Sequence, residues 1–341
     1  MQTKNATMQD VADLAKVSKT TVSHILNETR PVSEEKRQRV LNAMKELGYH
    51  PNILARSLRK NETGTIGLIV PNSANPFYAE VSRGVESLSF DEGYNVILCN
   101  SDRNLEKEIA YTKLLINKRV DGILFVGAWV GEQTQHLHDI HEQGIPLAVV
   151  DRFVPDIDID SVRTDNHLGG WLATSHLIGL GHKRISCIGG TPEFTPNAER
   201  IIGYQKAMRD AGIPIDDNLI VRTNFQFEGG HSAAQQLLSR DNRPTAIFAC
   251  NDLMAIGAMR AASDLGLRIP EDISIVGFDD IQMAQYTCPQ LTTISQPMVE
   301  MGKLATEMLL ERIGNANTVQ RIRILEPKLI VRQSTTKFPR Q

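Results

Sequence analysis

Residues 7–27 read Thr7-Met-Gln-Asp-Val-Ala-Asp-Leu-Ala-Lys-Val-Ser-Lys-Thr-Thr-Val-Ser-His-Ile-Leu-Asn27. Thr7 and Asp10 have the spacing of a capping box, with an acid where Glu or Gln is commoner. Val11, Leu14 and Ala15 follow at helical intervals, and Lys16-Val17 interrupts the pattern. Ser18 suits an N-cap, and Val22, Ile25 and Leu26 give the next segment, Lys19–Asn27, an apolar stripe. Two short helices joined by a turn of three or four residues make a helix-turn-helix. A third helix is expected from Ser33, with Glu34 and Glu35 in its first turn, Val40, Leu41, Met44 and Leu47 inward, and Gly48 just past its end. The outward face of the second helix carries Lys19, Thr20, Ser23 and His24, polar groups able to reach base edges in a major groove. By itself such a row also describes a solvated face of a small bundle.

Charge separates this head from the rest. Residues 1–62 carry +4 and residues 63–341 carry −7, which together give the net −3 of the 341-residue chain. A basic head on an acidic body suits a polyanion partner for the head. The length calls for two or three domains, and 41% apolar with 23% charged residues is the balance of a soluble globular protein. No apolar run is long enough for a membrane span, Met1–Thr7 has no apolar core of a secretory signal, and Cys99, Cys187, Cys250 and Cys288 are isolated. A cytoplasmic protein with reduced thiols and no membrane contact is therefore expected.

Beyond Thr65, apolar runs at 66–70, 96–99, 122–126, 147–150, 185–188, 246–250, 273–276 and 322–325 alternate with helical stretches, several ending at Gly. This is βαβ organisation, so parallel doubly wound sheets are expected, in an α/β body of two similar lobes. Ligands bind such sheets beyond the carboxyl ends of the strands. The residues there include Asn75, Phe77 and Tyr78, then Asp102, Asp151, Arg152, Asn251, Asp252, Phe278, Asp279 and Gln296, with Arg200 and Phe225 in comparable places. Planar bidentate groups with aromatics suit a monosaccharide, whose hydroxyls donate and accept while its C–H faces stack on rings. Each residue alone also has a structural reading, as helix cap, turn or core.

The head resembles that of the LacI/GalR repressor family, over Met8–Asn27 and over Glu46-Leu-Gly-Tyr-His-Pro-Asn-Ile-Leu-Ala-Arg-Ser-Leu58. Val17–His24, Asn27–Arg30 and Ala55–Leu58 resemble its purine and ribose repressor branch most. The resemblance implies a small all-α helix-turn-helix head (1–50), a hinge helix and linker (51–63), and a two-lobed body like the periplasmic binding proteins (64–341). Lobe 1 would take about 64–162 and 295–325, and lobe 2 about 163–294 and 326–341. It further implies that Lys19, Thr20, Thr21, His24 and Arg30 face DNA, although Lys19 departs from the branch's usual Thr. Ala55, Leu58 and Arg59 of the hinge would line the minor groove, with Leu58 the wedge that opens a base step. In the body, Asn75-Pro-Phe77, Asp151-Arg152, Arg200, Phe225, Asn251-Asp252, Phe278-Asp279 and Gln296 are similar to the ribose-contacting pattern of ribose-binding proteins. The implied protein is a repressor, a homodimer on a palindromic operator, controlled by a small sugar such as ribose or a related pentose and needing no cofactor. A purine or nucleoside, or a phosphorylated protein co-effector, stands as an alternative signal; a sugar-binding protein with no regulatory role would leave the head unused.

An enzyme is not expected. No P-loop, GxGxxG or GxSxG stands between a strand and a helix. His136, His138 and His141 are spaced two then three apart, which does not put all three on one helix face, so no metal site is expected. The tail Thr335–Gln341 has no heptad pattern for a coiled coil.

Overall fold

The computed structural model describes residues 6–27, 30–49, 62–127, 134–154, 157–190, 195–315 and 319–338. Contacts divide the chain into two units, Met1–Thr63 and Gly64–Gln341.

The first unit holds α1 (Met8–Ala15), α2 (Lys19–Asn27) and α3 (Glu34–Leu47). The capping box forms: the Thr7 hydroxyl accepts from Asp10 N at 3.3 Å and the Asp10 carboxylate accepts from Thr7 N at 2.7 Å. Lys16 ends α1 in the left-handed region. Arg39 of α3 donates to Ala15 O and Lys16 O at 2.6–3.0 Å, so the carbonyls that α1 leaves unmatched are taken up by a neighbouring helix. Val11, Ala12, Ala15, Val22, Ile25, Val40 and Ala43 make the core. The expected stripes narrow accordingly: Leu14 and Leu41 are each 42% exposed. Ser33 occupies the N-cap position of α3 without making a side-chain capping bond.

The second unit has two six-stranded sheets. Sheet 1 is ordered β11 (Ile322–Leu325), β5 (Asp160–Thr164), β4 (Leu147–Val150), β3 (Gly122–Val126), β1 (Thr65–Val70), β2 (Asn95–Asn100). Sheet 2 is ordered β12 (Lys328–Ile330), β10 (Thr292–Ser295), β9 (Ser274–Asp279), β8 (Ala246–Ala249), β6 (Ile185–Gly190), β7 (Ile220–Thr223). Every pairing is parallel except β10 with β12. The chain passes between sheets after β5, after β10 and after β11. Helices α4 (Pro76–Asp91), α5 (Leu105–Asn117), α6 (Gln135–Glu142) and α11 (Met298–Gly314) belong with sheet 1. Helices α7 (Asn166–Gly179), α8 (Thr195–Asp210), α9 (Phe227–Leu238) and α10 (Asp252–Asp264) belong with sheet 2. The central strands are buried on both faces, which is why they read as unbroken apolar runs.

Paired glycines let helices meet backbone to backbone. A Cβ on Gly84 of α4 would lie 2.1 Å from Val299 O of α11, and one on Gly302 of α11 would lie 2.2 Å from Val81 O. Gly170 with Gly203 does the same for α7 and α8, and Gly230 with Gly257 for α9 and α10. These contacts set how close the helix layers sit beside the strand ends that carry the site.

Candidate ligand cleft and recognition helix

A cleft enclosing about 440 Å³, open mouth included, is lined by residues from both lobes. Lobe 1 supplies Asn75, Phe77, Tyr78, Arg103, Asp151 and Arg152, and lobe 2 supplies Pro196, Asn197, Arg200, Phe225, Asn251 and Asp279. Most of these follow the carboxyl end of a strand. Asn75 caps α4, its Oδ1 accepting from Phe77 N at 3.0 Å, and Asn251 caps α10, its Oδ1 accepting from Met254 N at 2.8 Å. Both residues thus cap a helix and line the cleft. Asn251 Nδ2 also donates to Phe225 O at 3.0 Å.

Arg200 is held at both ends of its guanidinium. Nε donates to Asn166 Oδ1 at 2.7 Å and Nη1 to Cys250 O at 2.5 Å, while Asp279 Oδ1 lies 3.5 Å away. The guanidinium carbon sits 3.7 Å from the centroid of the Phe278 ring. Gln296 Nε2 donates to Asp279 Oδ1 at 2.7 Å. Asp151 Oδ1 and Gln296 Oε1 are buried with no hydrogen-bond partner among the described residues. Asp151, Phe225 and Asp279 all have φ in the left-handed region, at 66°, 60° and 118°. Such angles are uncommon for non-glycine residues, and three of them gather on this cleft.

The cleft is electrostatically tense. Burial pushes the Asp279 carboxyl up to about 7, with Asp151 adding to the push and Arg200 and Gln296 opposing it. Burial likewise raises Asp151, against the pull of Arg152 and Arg200. Behind them Asp252, fully buried at the start of α10, is raised by burial and by Asp279; its carboxylate accepts from Thr293 Oγ1 at 2.5 Å and Ile281 N at 2.8 Å. Burial raises the Tyr78 hydroxyl too, and Asp151 adds to it. Alternating buried donors and acceptors between two aromatic rings can hold a small, hydroxyl-rich ligand with little rearrangement.

Of the ligand residues expected from sequence, eight line the cleft: Asn75, Phe77, Asp151, Arg152, Arg200, Phe225, Asn251 and Asp279. Three do not. Asp102 lies outside the lining, pairing with Lys107 Nζ at 2.5 Å and accepting from Asn100 Nδ2, and its neighbour Arg103 takes the place expected for it. Phe278 is fully buried beneath Arg200, and Gln296 stands behind Asp279; both support the lining without forming it. Sequence reasoning missed Arg103, Pro196 and Asn197, and it placed Tyr78 at a strand end without including it in the ribose-like pattern. Asn197 stands three residues before Arg200 on α8, so helical spacing alone would have put the two on one face.

On α2, Lys19 and Thr20 are exposed, and Thr21 and His24 are partly so. Ser18 Oγ accepts from Thr21 N at 3.0 Å, and the Ser18 and Thr21 hydroxyls lie 2.8 Å apart, so Thr21 helps to close the turn. Arg30 is exposed. Ala55, Leu58 and Arg59 lie outside the described residues. Among the described residues, no helix is long and apolar enough to cross a membrane, and no group of His, Cys, Asp and Glu could hold a metal ion.

A helix-turn-helix head joined to a two-lobed α/β body with a polar cleft defines a DNA-binding transcription regulator of the effector-controlled kind. Residues 7–52 match the family model of bacterial regulatory proteins of the lacI family, and residues 174–335 match that of a periplasmic binding protein-like domain. The chain is similar to the HTH-type transcriptional repressor PurR of Vibrio vulnificus, 43% identical over 98% of this chain and 99% of that one. It is also similar to the ribose operon repressor of Haemophilus influenzae, 42% identical over 96% and 98%. Among solved structures it resembles a LacI family transcriptional regulator from Enterococcus faecium with bound ribose, with a TM-score of 0.73 and 34% identity over 81% of this chain and 100% of that one. The protein belongs to the LacI family of DNA-binding transcriptional repressors.

Proposed function

We propose that this repressor binds a palindromic operator as a homodimer and that the cleft takes a pentose, ribose in the first instance, as its inducer. The observation that carries the choice is the composition of the cleft. Asn75, Asp151, Arg152, Arg200, Asn251 and Asp279 place donors and acceptors side by side around Phe77 and Phe225. A polyol, each of whose hydroxyls both donates and accepts, can use such a set from several directions; a purine's donors and acceptors all lie in one plane and match only partners in that plane. The ribose operon repressor and the ribose-bound regulator among the similar proteins support this reading. The PurR relatives, at comparable identity, favour a purine instead, and that is the second reading.

Lys19, Thr20, His24 and Arg30 would contact bases, with Thr21 supporting the turn. One recognition helix reads only a half-site, so paired half-sites and a two-fold dimer follow from the affinity a regulator needs. Ligand affinity for the closed lobes over the open ones would then change operator affinity. Isothermal titration of the full-length protein against ribose, other pentoses, purine bases and nucleosides tests the effector. Heat with ribose and release of operator in a gel-shift assay support the proposal. Silence with pentoses together with tight purine binding replaces it by the second reading.

A further inference from the structure

The turn after β2 carries two consecutive non-glycine residues in the left-handed region, Asp102 at φ 53° and Arg103 at φ 55°. Such a turn persists only where it is held. Here Ser73 N donates to Asn100 Oδ1 at 2.7 Å, Asn100 Nδ2 donates to the Asp102 carboxylate, and Lys107 Nζ binds the same carboxylate at 2.5 Å. The fixed turn aims Arg103 across the cleft mouth. Its Nη1 reaches Asn224 O in lobe 2 at 3.3 Å, and its guanidinium carbon lies 5.9 Å from the centroid of the Phe225 ring. Phe225 is itself held at positive φ and by Asn251 Nδ2 on its carbonyl. A residue of one lobe thus packs over an aromatic wall of the cleft that belongs to the other lobe.

We infer that Arg103 is a latch: a positioning residue that stabilises the closed arrangement of the lobes and slows escape of whatever the cleft holds. The inference rests on the reading of the cleft as an effector site, but the contact itself joins protein to protein. Its chemistry is a charge-assisted bond to a carbonyl plus a cation over a ring, both available only when the 224–225 turn lies against the mouth. Arg suits the place because its planar fork meets carbonyl and ring together; Lys offers the charge alone. The Asp102 carboxylate then has a role that its position outside the lining does not suggest: it holds the turn that points the latch.

Two measurements on the full-length protein test this. First, stopped-flow release of ribose is compared for wild type, R103Q and R103K. Loss of one charge-assisted bond and a cation–π contact should speed release about tenfold in R103Q with association within about twofold, and R103K should recover part of the loss. Second, spin labels are placed at K113C on α5 and Q236C on α9 in a C288S background, and labelled chains are diluted with unlabelled protein so that only distances within one chain are read. Without ligand, R103Q should lengthen the distance distribution relative to the R103 parent, and R103K should lie between them. Unchanged release together with unchanged distances overturns the latch. If ribose does not bind the wild type at all, the effector reading fails, and the label distances alone decide whether Arg103 holds the lobes.

Discussion

Replacing Asp279 by Asn should make the body more stable, and increasingly so as pH rises. In the folded chain the Asp279 carboxyl keeps its proton up to about pH 7, because burial outweighs Arg200 and Gln296; in the unfolded chain it loses it near 3.8. An acid whose folded value is raised contributes stability that is fully present below the unfolded value and is lost as pH climbs through the folded one. At about 1.4 kcal/mol per tenfold change in proton affinity, ionised Asp279 lowers stability by about 4 kcal/mol at pH 8 and above, about 2 kcal/mol of it between pH 5.5 and 8. Asn keeps the Oδ1 that accepts from Gln296 and tolerates positive φ. The assay is urea unfolding of the ligand-free full-length protein at pH 5.5, 7 and 8. The stability of D279N minus that of wild type should grow by about 2 kcal/mol across that range. Burial lowers His176 and His182, which act in the opposite direction below their ordinary range, but both proteins carry them and they cancel. Asp252 feels the Asp279 charge, and relieving it adds in the same direction. Parallel profiles, with a difference constant to within about 0.5 kcal/mol, would refute the account of Asp279 as a buried carboxyl that the native state strains to ionise.

The remaining predictions concern other parts of the molecule. R200K loses the bond from Nε to Asn166 and the planar overlay on Phe278, so titration should show effector affinity down about a hundredfold with operator binding unchanged by gel shift. G277A puts a Cβ 2.2 Å from Asp252 Oδ1, a buried atom already bonded to Thr293, and should lower the unfolding free energy by about 2 kcal/mol in urea. D160N removes the charge that Arg312 and Arg321 share through bonds of 2.7–3.0 Å, and should cost about 3 kcal/mol at pH 7. Burial pushes Asp160 up, but its bonds to Arg312 and Arg321 outweigh burial and hold it below its ordinary range. Its contribution is therefore present above about pH 4 and lost on acidification, and D160N should show a shallower acid limb. L58A, on the family resemblance, should weaken specific operator binding while leaving nonspecific binding in place, read by competition gel shift; equal loss of both would remove the wedge role.

Much of the fold was legible because local signals and global packing agree. The Thr7–Asp10 box, the break at Lys16 and the cap at Ser18 all formed as the spacing implied. The buried strands announced themselves as apolar runs. The strands that hid are polar or at sheet edges. β5 reads Asp-Ser-Val-Arg-Thr, yet Asp160 is fully buried, because its partners Arg312 and Arg321 lie more than 150 residues away in sequence. No window of local sequence contains that pairing. The glycine pairs of the helix layers were invisible for the same reason: each Gly is informative only beside its distant partner.

The site shows a finer limit. Phe278 and Asp279 are adjacent in β9, and successive side chains of a strand point to opposite faces. Both could not line one cleft, so alternation alone argues that one of the pair stands behind. The structure puts Asp279 forward and Phe278 under Arg200, where the ring packs against the guanidinium that lines the cleft. At Asp102-Arg103 no such rule applies, because the strand has ended and two left-handed residues reverse the direction in which side chains leave the backbone. A strand-end rule locates that turn but cannot say which of its residues looks inward. Where a helix starts just past the strand end, as at Asn75 and Asn251 on their caps, the rule put the residue in the lining; at Asp102-Arg103 it was off by one. Positive φ alone does not mark the misses, since Asp151, Phe225 and Asp279 hold it and line the cleft; at 102–103 it falls on the turn that makes a cross-lobe contact.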